Sequence, residues 1–293
     1  MQLFLSQLAN GIGSGVVYAS VALALVLIFR TTGLLNFAQG EMAMFATFFT
    51  WWLTDQGLKI GFAIIISMAL SFVGGAIIER VVIRPVESAN NPLNVVIVTL
   101  GLFLAFGSLA QLIFGTDPQQ MPSPFPSGRV FSGYSIQKSV LGFALVLVAE
   151  CVLLYLLFQH TRIGLALRAV ASNPESSRLI GINTGHMLML GWALAAALGT
   201  LAGALVATKG TGFDASLMQE VLVYAFAAAA LGGFDSPIGA VVGGLIVGVA
   251  QSLTVEYVDA LDGIEVVVPF ALILLVLLVK PNGLFGRTIV ERV

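Results

Sequence analysis

The sequence predicts an all-α protein: a polytopic transmembrane helical bundle of about eight to ten helices, with broken helices and two related halves. Composition is the first reason, since 58% of the 293 residues are hydrophobic and 10% charged, where soluble domains carry about 25% charged residues. The second is the recurrence of long apolar windows. A bilayer core needs about 20 helical residues per crossing. Windows of that order lie at 8–29, 34–53, 60–79, 93–114, 140–158 and 187–207, and shorter ones at 218–233, 237–254 and 264–279. The third is an uneven distribution of Lys and Arg over alternate connections. Roughly nine passes follow, the short windows being equally readable as half-helices, and residues 1–293 form a single transmembrane domain.

The first window is read as a retained span. Met1 to Ser6 lacks a positive n-region, and no small-residue cleavage site follows the first apolar run. The second opens irregularly: in TTGLLNFAQGEMAM, Thr31 to Met44, the residues Asn36, Gln39, Gly40 and Glu41 stand in or at the membrane. A late segment, LGGFDSPIGAVVGG from Leu231 to Gly244, is likewise cut by a glycine pair, Asp235 and Pro237. In repeat-built transporters such broken segments flank the central pathway. Backbone that leaves the helix at membrane depth survives only where protein or water satisfies it, so both segments are expected to line the interior. For Gly239, Gly243 and Gly244 close helix packing is the preferred reading. Intramembrane carboxylates are costly and point to function. Glu41, beside Asn36 and Gln39, is expected on the pathway. Glu150, in mid-window with no charged neighbour in sequence, either serves the pathway or is a buried structural hydrogen-bonder.

Between the windows at 140–158 and 187–207 lies a polar island, Thr161 to Gly185. Asn173 is placed to cap a helix, Pro174 fits the first helical position, Glu175 meets the positive end, and Gly181 closes it. A short helix is therefore expected at 174–180. The apolar stripe of Leu165, Leu167, Val170, Leu179 and Ile180 fits either a protein partner or the membrane surface.

Alternate connections sort nine of the thirteen Lys and Arg to one side: Arg30, Arg80, Arg84, Arg162, Arg168, Arg178, Lys280, Arg287 and Arg292. By the positive-inside rule that side is cytoplasmic, which puts the amino terminus outside and both the island and the carboxyl terminus inside. The opposite face carries the Pro-, Gly- and Ser-rich segment Phe114 to Lys138, the segment Phe213 to Glu220, and the acidic residues Glu256, Asp259, Asp262 and Glu265. These are either solvated connections or a landing surface for a soluble partner.

Several classes are excluded. A net charge of −2 gives no basic field for nucleic acid, and the single Cys151 forbids an intrachain disulfide. The sequence has no Walker A loop, no H-E-x-x-H motif and no metal-spaced Cys and His cluster, while His160 and His186 only flank the island. No cofactor or metal site is expected, and the chain by itself has no means of hydrolysing ATP.

Five stretches, in order along nearly the whole chain, carry a resemblance: GLLNFAQGEMAM at 33–44, ERVVIRPV at 79–86, RIGLALRAVASNPESSRLIGIN at 162–183, LGGFDSPIGAVVGGLIVGVAQSL at 231–253 and LLVLLVKPNGLFG at 274–286. Together they resemble the permeases of high-affinity branched-chain amino acid ABC transporters, and specifically the first of the two permeases that such systems pair as a heterodimer. The resemblance implies an inner-membrane permease subunit moving leucine, isoleucine, valine or related small amino acids and amides by alternating access. Its partners would be two ATP-binding cassette subunits, a second homologous permease, an extracytoplasmic substrate-binding protein and membrane lipid. Residues 161–185 would form the cytoplasmic coupling loop. Its ATPase-contact tip would run from Asn173 to Gly181, with Pro174 and Glu175 in its first turn. Leu179 and Ile180 would seat in an ATPase groove, with Arg168 and Arg178 at the rim. Asn36, Gln39, Gly40 and Glu41 would lie at a broken helix near the pathway. Asp235 departs from the small uncharged residue usual there, which puts its role in doubt and leaves room for another substrate such as urea or a short amide.

Two other classes stay open from the residues alone. One is a secondary transporter or channel acting alone through Glu41 or Glu150. The other is a membrane-embedded enzyme, which needs a facing catalytic cluster not evident in the sequence.

Overall fold

The computed structural model describes residues 2–87, 92–126, 128, 137–210, 212–258, 261 and 263–286; the charged residues Arg129, Asp259, Asp262, Arg287 and Arg292 lie outside the described residues. The chain is all-α. Its helices are α1 (Gln2–Thr32), α2 (Gln39–Asp55), α3 (Ile60–Ile78), a π-helical turn (Glu79–Ile83), α4 (Arg84–Glu87), α5 (Pro92–Phe114) and α6 (Lys138–His160). Then follow α7 (Arg162–Ser172), α8 (Pro174–Leu179), α9 (Thr184–Ala207), α10 (Leu217–Gly232), α11 (Pro237–Tyr257) and α12 (Val267–Val279). Every apolar window of the sequence is occupied by a helix. Pro92, Pro174 and Pro237 each open one, where a missing N–H breaks no intrahelical bond.

Among the described residues, six helices are long and apolar enough to cross a membrane: Leu3–Thr32, Ile60–Glu87, Leu93–Phe114, Lys138–His160, Thr184–Ala207 and Pro237–Tyr257. Leu217–Gly232 and Val267–Val279 are shorter apolar helices. Several helices leave large apolar side chains uncovered, such as Phe62, Ile65 and Val73 on α3 and Leu274 and Leu278 on α12. Such faces suit a hydrocarbon solvent rather than water.

The chain divides into two compact units, each assembled from separate stretches. The first comprises Met1–Val26, Phe125–Leu147 and Glu220–Val293. In it α11 packs through small residues on two sides: Gly243 lies against Ala228 of α10, and a methyl group added to Gly244 would stand 2.6 Å from the backbone of Ala19 on α1. Gly239 abuts Gly232 in the same seam. The three glycines therefore serve close packing, as the sequence indicated. The Asp235 turn between α10 and α11 ends with Ser236 accepting from Gly239 N–H at 3.0 Å. The tail pairs back onto that turn, with Leu284 N–H donating to Leu231 O at 2.8 Å and Phe285 N–H to Gly232 O at 3.0 Å.

The second unit comprises Leu27–Pro124 and Val148–Gln219. Here α9 is the shared support of α2 and α3. Gly75 of α3 lets that helix approach the Trp192 carbonyl, while Gly199 and Gly203 of α9 receive Gln39 and Thr47 of α2. The loops after α5 and α9 are joined by a two-way antiparallel bridge between Gln119 and Phe213, each N–H donating to the other's carbonyl at 2.8 Å.

Candidate functional site

The second unit contains the irregular segment at 33–38, between α1 and α2. Its polar groups are closed off locally. The Thr31 hydroxyl donates back to Leu27 O and Ile28 O, at 2.9 and 3.0 Å, as α1 ends, and Gly33 turns the chain with φ +71°. Asn36 Oδ1 accepts from Ala38 N–H at 3.0 Å and its Nδ2 donates to Gln39 Oε1 at 3.3 Å. Gln39 Nε2 donates to Ala195 O at 2.9 Å. Ala195 stands midway along the 24 residues of α9, so α2 starts at the middle depth of its neighbour. Asn36, Gln39, Gly40 and Glu41 are all buried, as expected of irregular backbone inside a membrane. Asn36 and Gln39 hold the break together. Glu41 differs: it is 1% exposed and neither carboxylate oxygen has a hydrogen-bond partner among the described residues. Glu150 is equally buried, at 2%, on α6 and is not brought beside these four by any contact described.

The polar island, 161–185, folds as two helices, α7 and α8. Every terminus is capped. Thr161 accepts from Gly164 N–H at 2.9 Å, Asn173 from Ser176 N–H at 2.8 Å, and Asn183 from His186 N–H at 3.1 Å. Pro174 occupies the first position of α8, and Glu175 lies in its first turn, where the helix dipole favours a negative charge. Gly181 adopts φ +85°, with its N–H donating to Arg178 O and Ile182 N–H to Ser177 O, both at 3.0 Å. That double bond pattern closes a helix C-terminus on a left-handed residue.

Two details correct the sequence reading. The helix expected at 174–180 ends at Leu179, and α7 precedes it as a separate element. The single stripe also divides. Leu167 and Val170 are buried at 1% and 2%, whereas Leu165, Leu179 and Ile180 are exposed at 61%, 88% and 74%. The chain turns at Thr161, and Gly164, lacking a side chain, lets α7 lie against the Leu157 carbonyl and the end of α6. Arg168 reaches Gln159 at 3.0 Å, and Arg178 Nε donates to Thr184 Oγ1 at 2.9 Å.

A charged clamp joins this arm to α3, and the sequence reading missed it. Arg84 donates to both oxygens of Glu79, at 3.0 and 2.7 Å, and to the Gly185 carbonyl at 2.7 Å. Glu79 is completely buried. Residues five apart face different sides of an α-helix, but the i→i+5 bonding of the π turn brings these two together. Beside the clamp a half-polar cavity of about 150 Å³ is lined by Thr31, Glu87, Val170, Arg178, Thr184 and Leu188. The arm and the start of the break thus border one small space.

Apolar spans, a break at mid-depth and a capped arm with bare leucine and isoleucine define a polytopic helical membrane protein. A family model described as "Branched-chain amino acid transport system / permease component" matches residues 7–277, and the chain belongs to that family. It is 32% identical to the high-affinity branched-chain amino acid transport system permease protein LivH of Escherichia coli (strain K12), covering 99% of this chain and 98% of that one. It is 30% identical to the corresponding protein BraD of Pseudomonas aeruginosa, with the same coverage. Identity is 26% to a probable branched-chain amino acid transport permease protein LivH of Methanocaldococcus jannaschii, over 91% of this chain and 87% of that one.

Proposed function

We propose that the chain is the permease subunit of an ABC importer in the inner membrane, moving branched-chain amino acids inward, with its amino terminus outside and its carboxyl terminus in the cytoplasm. The observation that carries this reading is the exposure of Leu179 and Ile180 at the end of a helix whose termini are fully tied off. Exposed apolar side chains on a rigid support suit a protein contact, and family membership supports the reading that the partner is an ATP-binding cassette subunit, two of which serve the complex. Asn173, Pro174, Glu175 and Gly181 shape the contact. Leu179 and Ile180 enter the ATPase groove, and Arg168 and Arg178 keep the arm in place through Gln159 and Thr184.

Closure of the ATPases on ATP moves α8. The movement passes through Thr184 and Gly185, held by Arg178 and Arg84, to the start of α9 and to the Thr31 end of α1. There it acts on the break that holds Asn36, Gln39, Gly40 and Glu41, the pathway residues of this chain together with Glu150. A second homologous permease completes the pathway, and an extracytoplasmic binding protein delivers substrate to the paired loops around Gln119 and Phe213.

Co-purification tests this. Expressed with its neighbouring ATPase subunits, the wild type retains them, and the double variant Leu179→Asp, Ile180→Asp loses them at unchanged expression. Retention of the ATPases by that variant contradicts the assignment of α8.

A further inference from the structure

Glu41 is the one polar side chain of the break that its surroundings leave unanswered. Asn36 and Gln39 are committed to each other, to Ala38 and to α9. On α5 the neighbour is Gly107, where even an added methyl group would be 3.6 Å from Glu41 Oε2, so no side chain reaches the carboxylate from that helix position. Gln219 comes near the carboxyl without hydrogen-bond geometry. A carboxylate removed from water with no partner is among the most costly arrangements in a protein. A place of this kind suits a cation that arrives and leaves.

An aromatic wall leads to it. Phe45, one turn on from Glu41, meets Phe106, next to Gly107, with ring centroids 5.4 Å apart. Phe45 also meets Phe114 at 5.9 Å, Phe114 stacks on Phe48 at 5.0 Å, and Phe48 meets Phe213 at 4.9 Å. Phe213 belongs to the loop bridge with Gln119, so the rings run from that loop pair to Phe45, one turn along α2 from Glu41. A mostly apolar cleft of about 260 Å³ opens beside Phe45 and Phe106, lined also by Met42, Ser67 and Leu70. Aromatic faces attract ammonium groups, and the cleft offers an aliphatic side chain an apolar surface.

We infer that Glu41 binds the ammonium group of the transported amino acid at mid-depth, while the cleft beside Phe45 and Phe106 takes its aliphatic side chain. This rests on the proposal that the cargo is an amino acid, and adds the atom that holds it.

The test uses the intact complex of permeases and ATPases in lipid nanodiscs, without binding protein, and measures binding of radiolabelled leucine. Glu41→Gln keeps the shape and removes the charge, and is expected to weaken leucine binding about tenfold or more, with Glu41→Asp intermediate. In the wild type, leucinamide, which keeps the ammonium group, displaces the label and isocaproate, which lacks it, does not. Glu41→Gln removes that preference. Wild-type leucine binding in Glu41→Gln, or equal displacement by the two analogues, overturns the inference. ATP-driven leucine uptake by the same preparations separates the two levels. If the wild-type complex carries no leucine, the proposed function has failed and this inference falls with it; if it does and Glu41→Gln behaves identically, only the role of Glu41 is lost.

Discussion

The break at 33–38 and the arm at 161–183 interrupt the helical run within the same compact unit, and short polar side chains tie off both. They differ in what they leave uncovered. At the break Asn36 and Gln39 are enclosed and hydrogen-bonded, and the unanswered group beside them is a buried carboxylate, Glu41. At the arm the helix ends are capped and the uncovered groups at its tip are apolar, Leu179 and Ile180 in solvent. Helix punctuation alone therefore does not separate a pathway from a docking element. The exposure of the leftover group does, because a buried charge seeks a small cation and an exposed apolar pair seeks a protein surface.

The largest expected effect comes from the clamp that touches both regions. Arg84→Met leaves Glu79 buried and unpaired and should destabilise the unit by about 3–5 kcal/mol, read as a fall in the folded fraction in detergent on heating. A loss below about 1 kcal/mol would show that Glu79 is held by other means. Next comes Asn36→Ala, which strands Ala38 N–H and one bond to Gln39. It should cost about 1–3 kcal/mol. The matching change in the arm, Asn173→Ala, removes one cap in an exposed helix and should cost about 1 kcal/mol. If Asn36→Ala proves no worse than Asn173→Ala, the enclosed and exposed interruptions are not energetically distinct. Smallest for stability is Leu179→Asp with Ile180→Asp, expected within about 0.5 kcal/mol of wild type although partner retention is lost. A large loss of stability there would mean that the pair packs within its own chain.

How much of this was legible in the sequence follows from the range of the interactions. The apolar windows located all the long helices, and Asn173, Pro174, Glu175 and Gly181 announced α8, because spans and caps are fixed by neighbours a few residues away. The division of the stripe was not legible. Leu167 and Val170 are buried because α7 folds back at Thr161, where Gly164 allows close approach to α6, and these contacts have no local signature. The Glu79–Arg84 pair was hidden for another reason, since its spacing makes sense only on a π turn. The contrast between Gln39 and Glu41, two polar positions separated by Gly40, depends on whether α9 or α5 supplies a partner. In this chain α9 offers the Ala195 carbonyl and α5 a bare glycine.

The most direct measurement is leucine uptake into proteoliposomes holding the permeases with and without their ATPase subunits, with ATP supplied on the ATPase side and binding protein on the other. Coupling through α8 predicts uptake that requires both ATP and the ATPases, and that stops with Leu179→Asp, Ile180→Asp. Uptake that persists without the ATPases and follows a proton gradient would contradict the account.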